Sequence, residues 1–468
     1  MQNTITGELP NTRDLSGIQR FSVGFAKWSH KWIPNSLVFV ILLTGVAAIL
    51  SYALTPSTPW QVVQAWEKGF WDLLAFAMQM CLAMTTGYVV ADSPQVKKRL
   101  YRIAALPNNA AQAIVMLTSV GCICFWLHWA AGLMGICLLG RAMLVAAAEK
   151  GYKLHVPLVA AGTYSCFLVC NGPSFPAALF VATPGHLFEK AIGVIPVTET
   201  IFHPINFIQM VVLALLLVFC AWKFIPPDAY TETASPEFLD EIRGLTASNK
   251  DAMDAAPASK SPAERLNNSM LMGSLIGLVG CAWIVWALWN KGAGALNLNT
   301  INFIFLMLGF VLHGSPARFV AAVGRAIGTV AGVVVQFPLY AGIFGLIKYT
   351  GLAEVLVQFF VTISTAKTFP VVAFLYSATL NMFVPSSGSK FIIEAPYILP
   401  AAAQLGVNPA VIINAYTVGD CTTNLIQPFW ALPVLGLYKV DFKDILPFGF
   451  VVCMLAVVVN CIFYGFIW

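Results

Sequence analysis

Val384-Pro-Ser-Ser-Gly-Ser-Lys390 interrupts an apolar run from Pro370 to Leu399, and Asn171-Gly-Pro-Ser174 interrupts an earlier one from Val156 to Phe188. The two interruptions correspond. Tyr164-Ser165, Pro173-Ser174 and Pro184 return as Tyr376-Ser377, Pro385-Ser386 and Pro396, all at an offset of 212 residues. Two upstream matches keep the same order. Gly87-Tyr-Val-Val-Ala-Asp-Ser-Pro94 returns as Gly309-Phe-Val-Leu-His-Gly-Ser-Pro316 at 222, and Ala131-Gly-Leu-Met-Gly135 as Ala341-Gly-Ile-Phe-Gly345 at 210. Backbone at membrane depth is left broken only where protein buries it or a cavity opens beside it. Two repeats, each broken by Gly and Pro at the same point, are the pattern of a secondary transporter with its site at the breaks.

Composition agrees. The hydrophobic fraction is 59% and only 10% of residues are charged, against roughly a quarter in soluble proteins. A net charge of +5, spread along the chain, gives no nucleic-acid signal. The first apolar run, Pro34–Leu54, has about the 20 residues a bilayer needs, so it is expected to stay as a span rather than be cleaved. The expected class is an all-α polytopic membrane protein in a bacterial inner membrane. The 11 cysteines lie almost wholly in apolar segments and lack metal-site spacing, which makes them small core residues. No metal and no cofactor are expected.

Along the chain, residues 1–225 form an N-terminal membrane repeat and 266–468 a C-terminal one. Between them, 226–265 hold eight acids and four bases with few large apolar residues, and read as a solvated linker. Basic residues in the lead-in (Arg13, Arg20, Lys27, Lys31, beside Trp28 and Trp32) and in Lys97-Lys98-Arg99 with Arg102 put both on the cytoplasmic side. Ala110–Ala148 is too long for one span. It reads as two helices or as a re-entrant hairpin turning near His128, which has Pro338 opposite it at offset 210. His128 reads as a satisfied interfacial histidine, and Arg141 as a helix-end or internally paired cation.

The repeats are expected to be inverted, which requires an odd number of crossings between matching landmarks. From Pro94 to Pro316 four crossings are counted if the hairpin does not cross and the broken segment crosses once. The count becomes odd if both halves of a broken segment cross. Arg318 and Arg325 follow the second landmark as Lys97–Arg99 follow the first, which favours one common side.

Three groups of residues are candidates for the site. The breaks themselves, Asn171, Gly172, Pro173 and Ser174 with Pro385, Ser386, Ser387, Gly388 and Ser389, offer half-helix ends and hydroxyls to a carboxylate. The alternative is a pair of Pro-kinked helices with Ser satisfying the ladder. Lys390 and Glu394 face Ala178 and Ala182 at offset 212, so the scaffold is expected not to depend on their charge. A charge in mid-membrane costs about 2.5–3.5 kcal/mol or more, which makes Lys390 a candidate cation for substrate. It could instead pair with Glu394 one turn on, or snorkel. The third group is Asp420 with Thr422, Thr423 and Asn424, between apolar flanks. Asp420 and Glu394 are candidate ion-coupling groups, and Asp420 could alternatively serve only to neutralise Lys390. The Thr and Asn side chains could hold substrate or a small cation.

The same residues carry a resemblance. Val169-Cys-Asn-Gly-Pro-Ser174, Phe383-Val-Pro-Ser-Ser-Gly-Ser-Lys390 and Gly419-Asp-Cys-Thr-Thr-Asn-Leu-Ile-Gln-Pro-Phe-Trp430 resemble the bacterial short-chain fatty acid transporter family, which includes acetoacetate and butyrate uptake permeases. The likeness runs from Trp28 to Trp468. More distantly the layout resembles the ion-transporter superfamily, with re-entrant hairpins, broken helices and inverted repeats. The family implies a short-chain monocarboxylate as substrate. Inward movement of an anion against an inside-negative potential calls for at least one co-transported cation, H+ in the simplest case or Na+; membrane lipid is a further partner, and a homo-oligomer is compatible. The other readings are transport of another small organic anion, a channel, or a membrane-embedded enzyme. The sequence has no HExxH, no P-loop and no nucleophile elbow to support an enzyme.

Overall fold

The computed structural model describes residues 36–244, 261–384 and 386–468. The basic lead-in with Trp28 and Trp32, linker residues 245–260 and Pro385 lie outside the described residues.

Every described element is helical. The first half contains α1 (Ser36–Leu54), α2 (Pro59–Gly69), α3 (Leu74–Ala91), α4 (Pro94–Ala104), α5 (Ala110–Leu127), α6 (Trp129–Lys150), α7 (Val156–Ser165), α8 (Pro176–Val181) and α9 (Pro204–Lys223). The second contains α10 (Met270–Lys291), α11 (Leu298–His313), α12 (Pro316–Ala326), α13 (Ala331–Tyr349), α14 (Leu352–Ile363), α15 (Phe369–Asn381), α16 (Ser387–Gln404), α17 (Pro409–Asn424), α18 (Ala431–Tyr438) and α19 (Phe442–Ile462). Among the described residues eight helical stretches are long and apolar enough to cross a membrane. The protein is a multi-pass membrane protein.

Local chemistry sets the boundaries. Thr58 and Gln61 close a capping box ahead of α2, and Asn109 caps α5 through the amide of Gln112. The long apolar stretch 110–148 does divide into two helices, and the divide is one residue wide. His128 leaves helical geometry, and its Nδ1 accepts from the Ala131 amide to start α6. It is buried rather than interfacial, with its ring 3.9 Å from that of Phe305. In the second half the corresponding divide falls at Gly351, which takes φ 87°, and Pro338 stays inside α13.

Hydrogen bonds between helices fix their directions. Gln79 meets Asn299 and Asn302 at one end of α3, while Val89 O meets His313 at the other. Thus α3 and α11 run side by side in the same direction. The Gly87–Pro94 and Gly309–Pro316 stretches lie on one side and are not related by inversion. The broken segments differ. Ser377 and Asn381 of α15 meet Tyr416 and Asp420 of α17 in order, so these helices are parallel. Tyr164 meets Asn424 and Asn171 meets Asn414, so α7 and its extension run against α17. The two broken segments therefore run in opposite directions.

The expected solvated linker has a packed beginning. Residues 236–244 are helical, and Phe238, Leu239 and Ile242 are buried in the membrane core cluster. Glu241 pairs with Arg141 of α6 and with Lys439.

Candidate functional site

Helices are interrupted at both places, but the second interruption is shorter than expected, because Ser387, Gly388 and Ser389 already form the first turn of α16. A 3-10 turn (Cys166–Val169) extends α7 and the chain then opens through 170–175 before α8, while α15 ends at Asn381 and α16 starts at Ser387. Between them lies a cavity of about 60 Å³. Phe175 and Pro176 line it from the first break, and Ser386, Ser387 and Gly388 from the second. Met80 and Met84 of α3, Phe337 of α13 and Trp129 with Trp430 complete apolar walls. Asp420 and Asn424 supply the polar wall. The Ser387 hydroxyl has no partner among the described residues, and Ser386 Oγ lies 3.0 Å from Ser389 Oγ.

Lys390 sits behind this wall rather than in it. It is fully buried; its ammonium donates to Ser377 O at 2.9 Å and Ser377 Oγ at 2.5 Å and forms an ion pair, without a hydrogen bond, with Asp420 Oδ1 at 3.4 Å. The ammonium also lies 4.4 Å from the Tyr416 ring centroid. The cation pairs with Asp420, not with Glu394. Glu394 is buried, and among the described residues neither of its carboxyl oxygens has a hydrogen-bond partner. Removing Lys390 would leave Asp420 buried without its counter-charge, so the pair gives this cation a structural partner that the repeat comparison does not show.

Asp420 is held from the side by Asn424 Nδ2 at 3.5 Å. Asn381, the last residue of α15, gathers the rest. Its Nδ2 donates to Asp420 O, Thr423 Oγ1 and Asn424 Oδ1 at 3.0, 3.1 and 2.8 Å. Thr422 and Thr423 stay off the cavity. Thr423 donates to Ala378 O and Thr422 to Val418 O, and Thr422 Oγ1 also accepts from Asn460. The close fit of α15 on α17 depends on Gly419, where a Cβ would stand 2.5 Å from Phe374 O.

The first break is fixed by a separate polar cluster. Asn171 Nδ2 donates to Asn206 Oδ1 at 2.8 Å and to Asn414 Oδ1 at 2.9 Å, with all three side chains fully buried. Ser174 Oγ accepts from the Trp129 amide at 2.9 Å and so holds the α5–α6 divide. A Cβ on Gly172 would stand 2.0 Å from Trp126 O, which only glycine tolerates. Asn171, Gly172, Pro173 and Ser174 thus shape the first break, and its next two residues, Phe175 and Pro176, reach the cavity. Pro385 lies outside the described residues.

Ser377, Asn381, Asn206 and Asn414 are additions from the structure. Each is a polar residue inside an apolar helix and fully buried, and that is the sequence signal they carry. Among the described residues no group of three or more His, Cys, Asp or Glu could hold a metal ion.

Comparison with known proteins adds a second line. The sequence profile of the family described as short chain fatty acid transporter matches residues 17–467. An Escherichia coli K12 protein whose name proposes short-chain fatty acid transport is 33% identical over 430 residues, covering 92% of this chain and 95% of its own. A Haemophilus influenzae protein with the same name is 34% identical over 452 residues, covering 95% and 97%. In structure the chain resembles the YdaH transporter of Alcanivorax borkumensis, with a TM-score of 0.52 at 14% identity over 92% of this chain and 96% of that one. That likeness concerns the fold.

Proposed function

Since this chain belongs to the short chain fatty acid transporter family, and is a transporter rather than an enzyme, we propose that it takes up short-chain carboxylates such as butyrate and acetoacetate by proton symport across a bacterial inner membrane. The observation that carries this reading is the cavity between the two breaks. Its Met, Phe and Trp walls suit a short hydrocarbon tail, and Ser386, Ser387, Asn424 and Asp420 offer a polar end. The opposed broken segments support reading the halves around them as inverted repeats.

The coupling follows from charge. Moving one anion inward against an inside-negative potential costs about 2.3 kcal/mol per 100 mV, so uptake needs a cation. Asp420 lies between the cavity and Lys390, facing both. A carboxylate arriving beside an ionised Asp420 meets a like charge. A proton on Asp420 removes that repulsion and loosens its hold on Lys390, whose ammonium is then available to the substrate. Sodium fits less well. The Thr422 and Thr423 hydroxyl oxygens already accept from Asn460 and Asn381, and Asn424 Oδ1 accepts from Asn381 and Gln427.

Uptake of labelled butyrate into proteoliposomes tests the reading, with a proton gradient and a Na+ gradient imposed separately. Accumulation under the proton gradient alone is expected. Accumulation only under Na+ overturns the coupling, and none under either overturns the substrate.

A further inference from the structure

A second cavity lies one helical turn beyond the first, and its chemistry is that of an anion site. Met80 and Met84 of α3 line the cavity between the breaks, and Tyr88 and Asp92 line the second. These four positions follow one i, i+4 ridge of the helix. From Met84 to Tyr88 the rise is about 6 Å. The second cavity encloses about 220 Å³. It lies at the end of α3 that leads into the basic helix α4, the cytoplasmic end by the positive-inside rule.

Three cations line it, Lys97, Arg141 and Arg325, against one carboxylate, Asp92. Asp92 is shared between Lys97 at 2.7 Å and Arg325 at 2.5 Å. Arg141 is 7% exposed, and its Nε has no hydrogen-bond partner among the described residues. Its one ion pair among the described residues is with Glu241 at 3.4 Å, and Glu241 also holds Lys439. An Arg fork with an unused donor, buried in a cationic cavity, lacks an acceptor that a carboxylate would supply. Met134, Leu138 and Leu437 form apolar walls, which a short alkyl chain would cover and inorganic phosphate would not.

We propose that this cavity is a second binding station for the transported short-chain carboxylate, with Arg141 as its main ligand and Lys97 and Arg325 as flanking cations. The inference rests on the carboxylate-transport reading. The anion passes between a buried station at Asp420 and a cationic one at the mouth. There it competes with Glu241 for Arg141, which couples occupancy to the linker helix 236–244 that covers the cavity.

The test is binding of radiolabelled butyrate to the full-length protein in nanodiscs by scintillation proximity, with inorganic phosphate as competitor. Wild type is expected to bind two equivalents. Arg141→Gln should weaken one site by about tenfold or more, leaving the other unchanged, and Arg141→Lys should recover part of the loss. Leu138→Trp, which fills the cavity and keeps the charges, should lose the same equivalent, and serves if Arg141→Gln does not fold. One equivalent in wild type, unaltered by either variant, overturns the second station and leaves the transport reading standing. Displacement of that equivalent by inorganic phosphate at concentrations as low as those of unlabelled butyrate also overturns it. No butyrate bound by wild type removes both.

Discussion

Lys390 Nζ lies 3.4 Å from Asp420 Oδ1, and both side chains are buried. Breaking a buried pair from one side is expensive, about 3–5 kcal/mol, because the remaining charge has no compensation. Lys390→Ala should therefore lower the melting temperature of the purified protein sharply. Adding Asp420→Asn to it should recover most of that loss and restore no butyrate uptake. Recovery of uptake in the double variant would reduce the pair to a structural lock.

Glu394 presents the opposite case. One turn from Lys390, it is buried with no hydrogen bond to either oxygen among the described residues. Glu394→Gln keeps the shape and removes the ionisable group, so its melting temperature should match or exceed that of wild type. A large drop would mean that Glu394 has a partner in the folded protein. If the residue takes part in coupling, uptake by this variant loses part of its dependence on pH, measured on the same preparation.

The breaks were legible because Gly, Pro and Ser inside an apolar run have few other uses. The membrane class was legible from the scarcity of charge. What sequence did not convey is rotation and direction. Lys390 and Asp420 are on different helices, and nothing in their spacing selects Asp420 over Glu394 as the partner. The Gly87–Pro94 match misleads for a physical reason. Ser93-Pro94 and Ser315-Pro316 both start helices, with Pro in the first turn, and such a signal encodes local chain geometry, not the side of the membrane. The match at offset 212 spans a whole broken segment, and its two copies do run in opposite directions. Asn171 reads as a ligand in the sequence because it sits in a break. Its partners, Asn206 and Asn414, come from two other helices and appear only on folding.

Asn171→Ala tests that cluster. It removes the donor to Asn206 Oδ1 and Asn414 Oδ1, and each buried acceptor left without a partner costs about 1–3 kcal/mol. Gly172→Ala should be at least as harmful, since its Cβ would stand 2.0 Å from Trp126 O. Both are expected to lower the melting temperature. With Asn171→Ala, butyrate affinity should change little in the protein that stays folded, because Asn171 does not line the cavity. A selective loss of affinity at unchanged stability would return Asn171 to the binding site.

Asp420→Asn separates carrying a proton from shaping the site. The amide keeps the size and the contact with Asn424 but cannot cycle a proton. With no proton to exchange, the carrier should still swap labelled for unlabelled butyrate across the membrane. Accumulation driven by a pH gradient should disappear. Counterflow and gradient-driven uptake on the same vesicles distinguish the outcomes. Loss of both together would assign Asp420 a structural or direct substrate role. Full accumulation would remove it from coupling and leave Glu394, or a proton carried on the substrate itself, as the source of neutrality. The pairing with Lys390 favours the first outcome, because the amide no longer needs a counter-ion and the ammonium is left to the incoming carboxylate.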